Sequence, residues 1–151
     1  MGLKGKVYRK VVRPAVLYGS ECWPLKKTQV QRLMVAEMRM VRWMCGFTRL
    51  DRIRNEEIRD LAEVAPIEEK MRESRLRWFG HVKWRSVAAP VRRCEMINPP
   101  GDKRGMGRLK KSLEEVVRED LRVVGLTEDM AQDRRLWRVR INVSDCRGTP
   151  P

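Results

Sequence analysis

RLRWFGHVKWR, residues 75–85, is the stretch on which the fold turns. Arg75, Arg77, Lys83 and Arg85 alternate with Leu76, Trp78, Phe79, Val82 and Trp84 around the chain's only histidine, His81. Cations meet phosphates and planar groups stack on bases or sugars, so the mixture suits a surface that holds nucleic acid. It equally suits an amphipathic helix that buries its rings and solvates its charges. On a helical wheel Ile67, Met71, Trp78 and Val82 cluster, with Phe79 at the margin and Arg75 among them. Leu76 and Trp84 fall outside that stripe. The expected division puts Trp78, Val82 and Phe79 in the core and leaves Arg77, His81, Lys83, Trp84 and Arg85 to meet a ligand.

The helix carrying this stretch is expected to begin near Pro66, a residue suited to a first helical turn, with Glu68 and Glu69 at its positive end, and to run to about Trp84. Before it, Asp51 is the expected cap of a short helix through Ile53, Ile58 and Leu61. Thr28 and Gln31 have capping-box spacing. Val30, Leu33, Met34, Met38, Val41, Met44 and Cys45 then form a broad apolar face, closed by Gly46 as C-cap. Residues 3–18 read as a basic amphipathic helix with Leu3, Val7 and Val11 on one stripe, continued by Ala15 and Tyr18. Pro14 either kinks this helix or ends it near Val12, and the kink is the preferred reading.

Beyond residue 85 the character changes. Pro90, Pro99, Pro100, Gly101, Gly105 and Gly107 mark a flexible basic linker over 86–109. A helix from about Lys110 to Val124 follows, with Leu113, Val116, Val117, Leu121 and Val124 inside and Gly125 ending it. Thr127 is the expected cap of a last helix through Met130, Leu136, Trp137 and Ile141, and residues 143–151 are expected to form a disordered tail. The fold class is all-α: five to six helices in a small irregular bundle, with the linker setting off the last two. The expected organisation is a basic helical region 1–85, the linker 86–109, a helical pair 110–142 and the tail 143–151.

The net charge of +14 favours a polyanionic partner, nucleic acid first and an anionic membrane surface second. The excess is uneven: residues 1–50 carry +9, residues 51–100 +2 and residues 101–151 +3. The first third is therefore the expected electrostatic footprint. Cys22, Cys45, Cys94 and Cys146 form no CxxC pair, which argues against zinc and for free thiols in a reducing intracellular compartment, nuclear or cytoplasmic. No signal peptide and no apolar run of membrane-spanning length is present. One histidine, no serine elbow, no phosphate-binding glycine loop and acids confined to helix surfaces leave no catalytic centre to nominate. No cofactor and no small-molecule substrate is expected. The loop KRGMGRLKK, residues 103–111, can lay cations along a phosphate backbone or a minor groove.

Six blocks in order carry a resemblance: RPAVLYGSECW at 13–23, AEMRMVRWMCG at 36–46, RIRNEEIRDL at 52–61, RLRWFGHVKWR at 75–85, GRLKKSLEEVVREDL at 107–121 and DRRLWRVRI at 133–141. Together they resemble the carboxy-terminal region of plant LINE-type, non-LTR retrotransposon reverse transcriptases, over roughly residues 3–142. In that family the polymerase palm, with its Tyr-x-Asp-Asp motif, and the endonuclease lie upstream of this region. No Asp-Asp pair occurs here. The resemblance thus implies the thumb-like helices after the palm, which grip template RNA or target DNA, and carries over no catalytic residue. Met106, Leu109 and Leu113 stand where the family has arginine, proline and tryptophan, which weakens the groove-binding loop.

The expected nucleic-acid contacts are a first track of Lys4, Lys6, Arg9, Lys10 and Arg13, and a second of Arg75, Arg77, His81, Lys83, Trp84 and Arg85. The loop adds Lys103, Arg104, Arg108, Lys110 and Lys111. The expected partners are RNA or DNA, and the missing palm or another copy of the chain; a membrane is not expected. The alternatives are a helical interaction module and a retroelement remnant without function.

Overall fold

The computed structural model describes residues 3–96 and 112–145, the side chains of 94–96 excepted, and these residues hold helices and no strand. Helix α1 joins Leu3–Val7, a π-helical turn Tyr8–Val12 and Arg13–Leu17. It is followed by α2 (Lys27–Cys45), α3 (Asn55–Ala62), α4 (Ile67–Lys83), α5 (Pro90–Met96), α6 (Leu113–Val124), a 3-10 turn Glu128–Gln132 and α7 (Arg134–Ile141). Among the described residues that makes seven helices rather than five to six. The additional one, α5, falls in the expected linker, where Pro90 occupies a first-turn position that needs no N–H donor. The rest of that linker, 97–109, with residues 110–111 of the expected helix and residues 146–151 of the expected tail, lies outside the described residues.

The chain divides into two compact units, Met1–Glu73 with Val143–Pro151, and Ser74–Asn142. The division falls inside α4 rather than at residue 85.

In the first unit Tyr8, Met38, Val41, Ile58, Ala62 and Val64 form the core, with Val12, Met40, Met44 and Phe47 packed against it. The face that α1 buries differs from the expected stripe. Leu3, Val7 and Val11 are exposed, whereas Gly5, Tyr8 and Arg13 are buried. The reason is polar. The Tyr8 hydroxyl donates to Glu37 Oε1 at 2.8 Å, and Arg13 pairs with Asp145 and donates to the Ala65 carbonyl at 3.1 Å. Pro14 does not end the helix. Its ring crowds the carbonyl four residues back, and the preceding turn takes wider spacing, with the Arg13 N–H donating to the Tyr8 carbonyl.

Three expected caps move. Helix α2 starts one residue before Thr28, and Gln29 Oε1, not Gln31, accepts the Lys26 N–H at 2.9 Å. Asp51 does not cap α3. It accepts the Thr48 N–H and, at 2.9 Å, the Thr48 hydroxyl, closing the turn before α3. Arg42 fixes the far side of that turn by donating to the Ile53 carbonyl and Asn55 Oδ1, both at 2.8 Å. Thr127 opens only the 3-10 turn. Asp133 caps α7 by accepting from the Arg135 and Leu136 N–H groups at 2.9 and 3.0 Å, which splits the expected last helix in two. Gly46 and Gly125 close α2 and α6 in the left-handed region, at φ 80° and 70°, as the sequence predicts.

In the second unit Leu76, Val117, Leu121, Leu126, Ala131, Trp137 and Ile141 form the core, with Phe79, Trp84, Leu113 and Val124 against it. Against this core α4 sets Leu76, Phe79, Gly80 and Trp84; of the expected stripe Ile67, Met71 and Val82 are buried as well, and Trp78 is half-buried. Trp137 fills the notch at Gly80: a Cβ there would lie 2.5 Å from the indole Nε1. That Nε1–H donates to the Leu76 carbonyl at 3.1 Å.

The segment after α7 is not frayed at its start. Asp145 pairs with Arg13, accepts the Ala65 N–H at 3.2 Å and lies 3.9 Å from Lys70 Nζ. The Val143 N–H donates to Glu73 Oε2 at 3.3 Å. Burial pushes the Asp145 carboxyl up, but the hydrogen bond and charge of Arg13 outweigh it and hold the group below its ordinary value. A depressed folded pKa gives stability above the unfolded value of about 3.9 that is lost as pH falls through the folded one. Melting curves of wild type and Asp145→Asn are therefore expected to differ at neutral pH, the difference narrowing as pH falls below the unfolded value of about 3.9 to the lowest pH at which the chain stays folded. A constant difference down to that pH would show that the charge of Asp145 contributes nothing.

Candidate nucleic-acid interface

The first unit displays part of the first track. Lys4, Lys6 and Lys10 are exposed on α1, and Lys4 Nζ lies 5.1 Å from the ring centroid of Trp43, itself 71% exposed. Arg9 is half-buried. Its guanidinium donates to the Glu63 carbonyl at 3.0 Å and lies 3.5 Å from the Glu63 carboxylate, bracing a non-glycine residue at φ 50° that ends α3. Arg13 leaves the track altogether. It is 4% exposed, paired with Asp145, and its guanidinium lies 5.2 Å from the Tyr8 ring centroid.

The second unit makes a similar correction at Arg75, which is buried in a two-pronged pair with Asp120 at 2.6 and 3.0 Å. Arg75 and Asp120 satisfy one another, so the pair belongs to the core. Trp84 is not a free stacking ring either. It packs against the core, its Nε1–H donates to the Ala131 carbonyl, and Arg134 and Arg138 lie 5.1 and 5.8 Å from its centroid.

Of the remaining groups, His81 and Arg85 extend from Trp84. His81 meets the ring edge-on with centroids 6.1 Å apart, and Arg85 Nη2 lies 3.5 Å from His81 Nε2. Lys83 lies over Phe79 at 5.1 Å and 3.8 Å from Glu128. Arg77 is exposed. Arg134 and Arg138 were not among the sequence candidates. Their i, i+4 spacing puts both guanidiniums on one side of α7, and a cation held over a ring keeps its N–H groups for phosphate oxygens. The signal available in the sequence was the charge pattern of DRRLWRVRI, four arginines around a lone tryptophan. Lys103, Arg104, Arg108, Lys110 and Lys111 lie outside the described residues.

Among the described residues no three His, Cys, Asp or Glu side chains converge to hold a metal, and no helix is long and apolar enough to cross a membrane. Cys22 and Cys45 are free thiols.

Over 146 residues the chain is 23% identical to an uncharacterised transposon-derived protein of Caenorhabditis elegans, covering 89% of this chain and 52% of that protein. The chain thus spans about half the length of this relative. No family model matches the sequence, and no solved structure matches it.

Proposed function

We propose that the chain is a basic nucleic-acid-binding fragment of a retroelement protein, of the kind that follows the palm in plant LINE-type reverse transcriptases, with no catalytic centre of its own. The similarity to a transposon-derived protein supports a mobile-element origin. The observation that carries the binding reading is the group of cations left at the surface beside rings: Lys4 at Trp43 in the first unit, and Arg134 and Arg138 at Trp84 in the second. Such groups take phosphate without sequence preference, while the buried Arg13 and Arg75 hold the scaffold that presents them. By sequence, Lys103, Arg104, Arg108, Lys110 and Lys111 add to the same positive charge.

Charge reversal tests this reading. Lys6→Glu with Lys10→Glu is expected to weaken binding to RNA and DNA oligonucleotides of different sequence by a similar factor, at least about tenfold at low salt. Unchanged affinity would remove α1 from the interface.

A second reading has one observation in its favour. Leu3, Val7 and Val11 lie exposed at helical spacing on α1. A stripe of this kind fits a protein surface, and the occupant it suits is the palm that the resemblance places upstream. Binding of the chain to a separately produced palm, lost in Val7→Glu with Val11→Glu, would support docking; equal binding by the variant would exclude this stripe.

A further inference from the structure

A groove of about 360 Å³ lies in the first unit between α2 and α3 and the turn that joins them. Its polar wall is Arg39, Arg42, Arg49 and Arg59; its apolar floor includes Met34 and Met38. One acid, Glu56, lines it. The four arginines do different things. Arg42 is committed to the Ile53 carbonyl and Asn55, and Arg59 lies 3.7 Å from the buried Glu37. Arg39 and Arg49 are exposed and, among the described residues, make no hydrogen bond or ion pair. The Nε of Arg59 is buried and unpartnered. The groove therefore presents two unspent cations, Arg39 and Arg49, above a thioether-lined floor.

Flat apolar walls with a few convergent charges are the make-up of a small-ligand site, and the volume is at the lower end of the range for one, about 300–1,000 Å³. Arginine forks match phosphate oxygens, and methionine sulfur and methyl groups pack well on aromatic ring edges and faces. We propose that this groove holds one phosphorylated nucleotide unit of a single-stranded nucleic acid, with Arg39 and Arg49 on the phosphate and the base against Met34 and Met38. The inference rests on the nucleic-acid-binding reading and gives it a specific seat away from the two cation tracks.

The test uses the full chain with [13C]methyl-methionine labels and a five-nucleotide single-stranded DNA as probe. The methyl signals of Met34 and Met38, assigned by Met→Leu substitution, are expected to shift on titration. In Arg39→Ala with Arg49→Ala those shifts should disappear, and the salt slope of binding should fall by about 0.7, one single-strand phosphate contact. Both arginines are exposed, so the melting temperature should stay within a few degrees of wild type. A probe that binds while the two methyl signals stay still, or a double variant with unchanged shifts and slope, overturns the groove and leaves the tracks standing. No binding by wild type overturns both. Adenosine monophosphate as a second probe separates the sources: matching shifts mean that the groove takes a free nucleotide, and shifts with the oligonucleotide alone mean that the neighbouring phosphates are needed.

Discussion

Glu37→Ala is expected to destabilise the first unit by about 3–5 kcal/mol, the cost of breaking a buried charge network by removing one partner. Glu37 is fully buried in the middle of α2. It accepts the Tyr8 hydroxyl at 2.8 Å and the Ile67 N–H at 3.0 Å, and faces Arg59 at 3.7 Å. One carboxylate thus joins α1, α3 and the first residue of α4. Alanine would strand a buried hydroxyl, a buried N–H and a largely buried guanidinium, and unmet polar groups cost more than the bonds they lose. Burial, then the charge and hydrogen bond of Glu37, push the Tyr8 phenol up. Two readouts follow. The melting temperature should drop by roughly 6–20 °C. In ultraviolet titration of wild type, Tyr8 should ionise well above the ordinary tyrosine value of about 10, so the stability its proton contributes is lost only as alkali exceeds that value. Destabilisation below about 1 kcal/mol would mean that the packing of Tyr8 and Val41, and not the carboxylate, organises the unit.

Trp137→Ala is expected to cost a similar amount in the second unit, about 3–5 kcal/mol for truncating a buried tryptophan. The ring is fully buried, 6.1 Å from Phe79 between centroids, and seated on Gly80. Its removal opens a cavity that the Gly80 backbone cannot fill, and it strips the donor from the Leu76 carbonyl. Of the five tryptophans, Trp137 alone is fully buried, so the blue-edge component of fluorescence should vanish with it. Trp137→Phe keeps most of the volume and should recover about half of the loss. A Trp137→Ala protein with wild-type melting would show that Gly80 and Trp137 do not pack in solution.

These two residues also mark what the sequence discloses and what it hides. The all-helical class, the apolar face of α2 through Met38 and Val41, and the glycine stops at Gly46 and Gly125 follow from local periodicity and backbone freedom. The inward face of α1 does not. A wheel ranks side chains by apolarity, so it selects Leu3, Val7 and Val11 and passes over Tyr8 and Arg13, whose burial depends on carboxylates 29 and 132 residues away in sequence. The part of α4 that packs on Trp137 is hidden for the complementary reason, while the buried Ile67, Met71 and Val82 are legible. Gly80 counts for nothing on a wheel, yet it lies in the stripe because Trp137 supplies the missing side chain.

The same logic sorts the candidate site. Charge asymmetry pointed to α1, and Lys4, Lys6 and Lys10 are indeed exposed there. It could not separate them from Arg13 and Arg75, which are held by Asp145 and Asp120 from distant parts of the chain. It also passed over Arg134 and Arg138, whose significance lies in the ring of Trp84 beneath them. Cations in a basic chain become structural where a distant carboxylate meets them and remain available where none does.

The most direct measurement of the central claim is the affinity of the purified chain for single-stranded RNA and DNA across a series of salt concentrations. Cations bound to phosphate release counterions, so a plot of log affinity against log salt should be linear with a slope of about −3 or steeper, similar for different sequences. No binding at about 100 mM salt, or binding that salt leaves unchanged, would contradict a nucleic-acid-binding role.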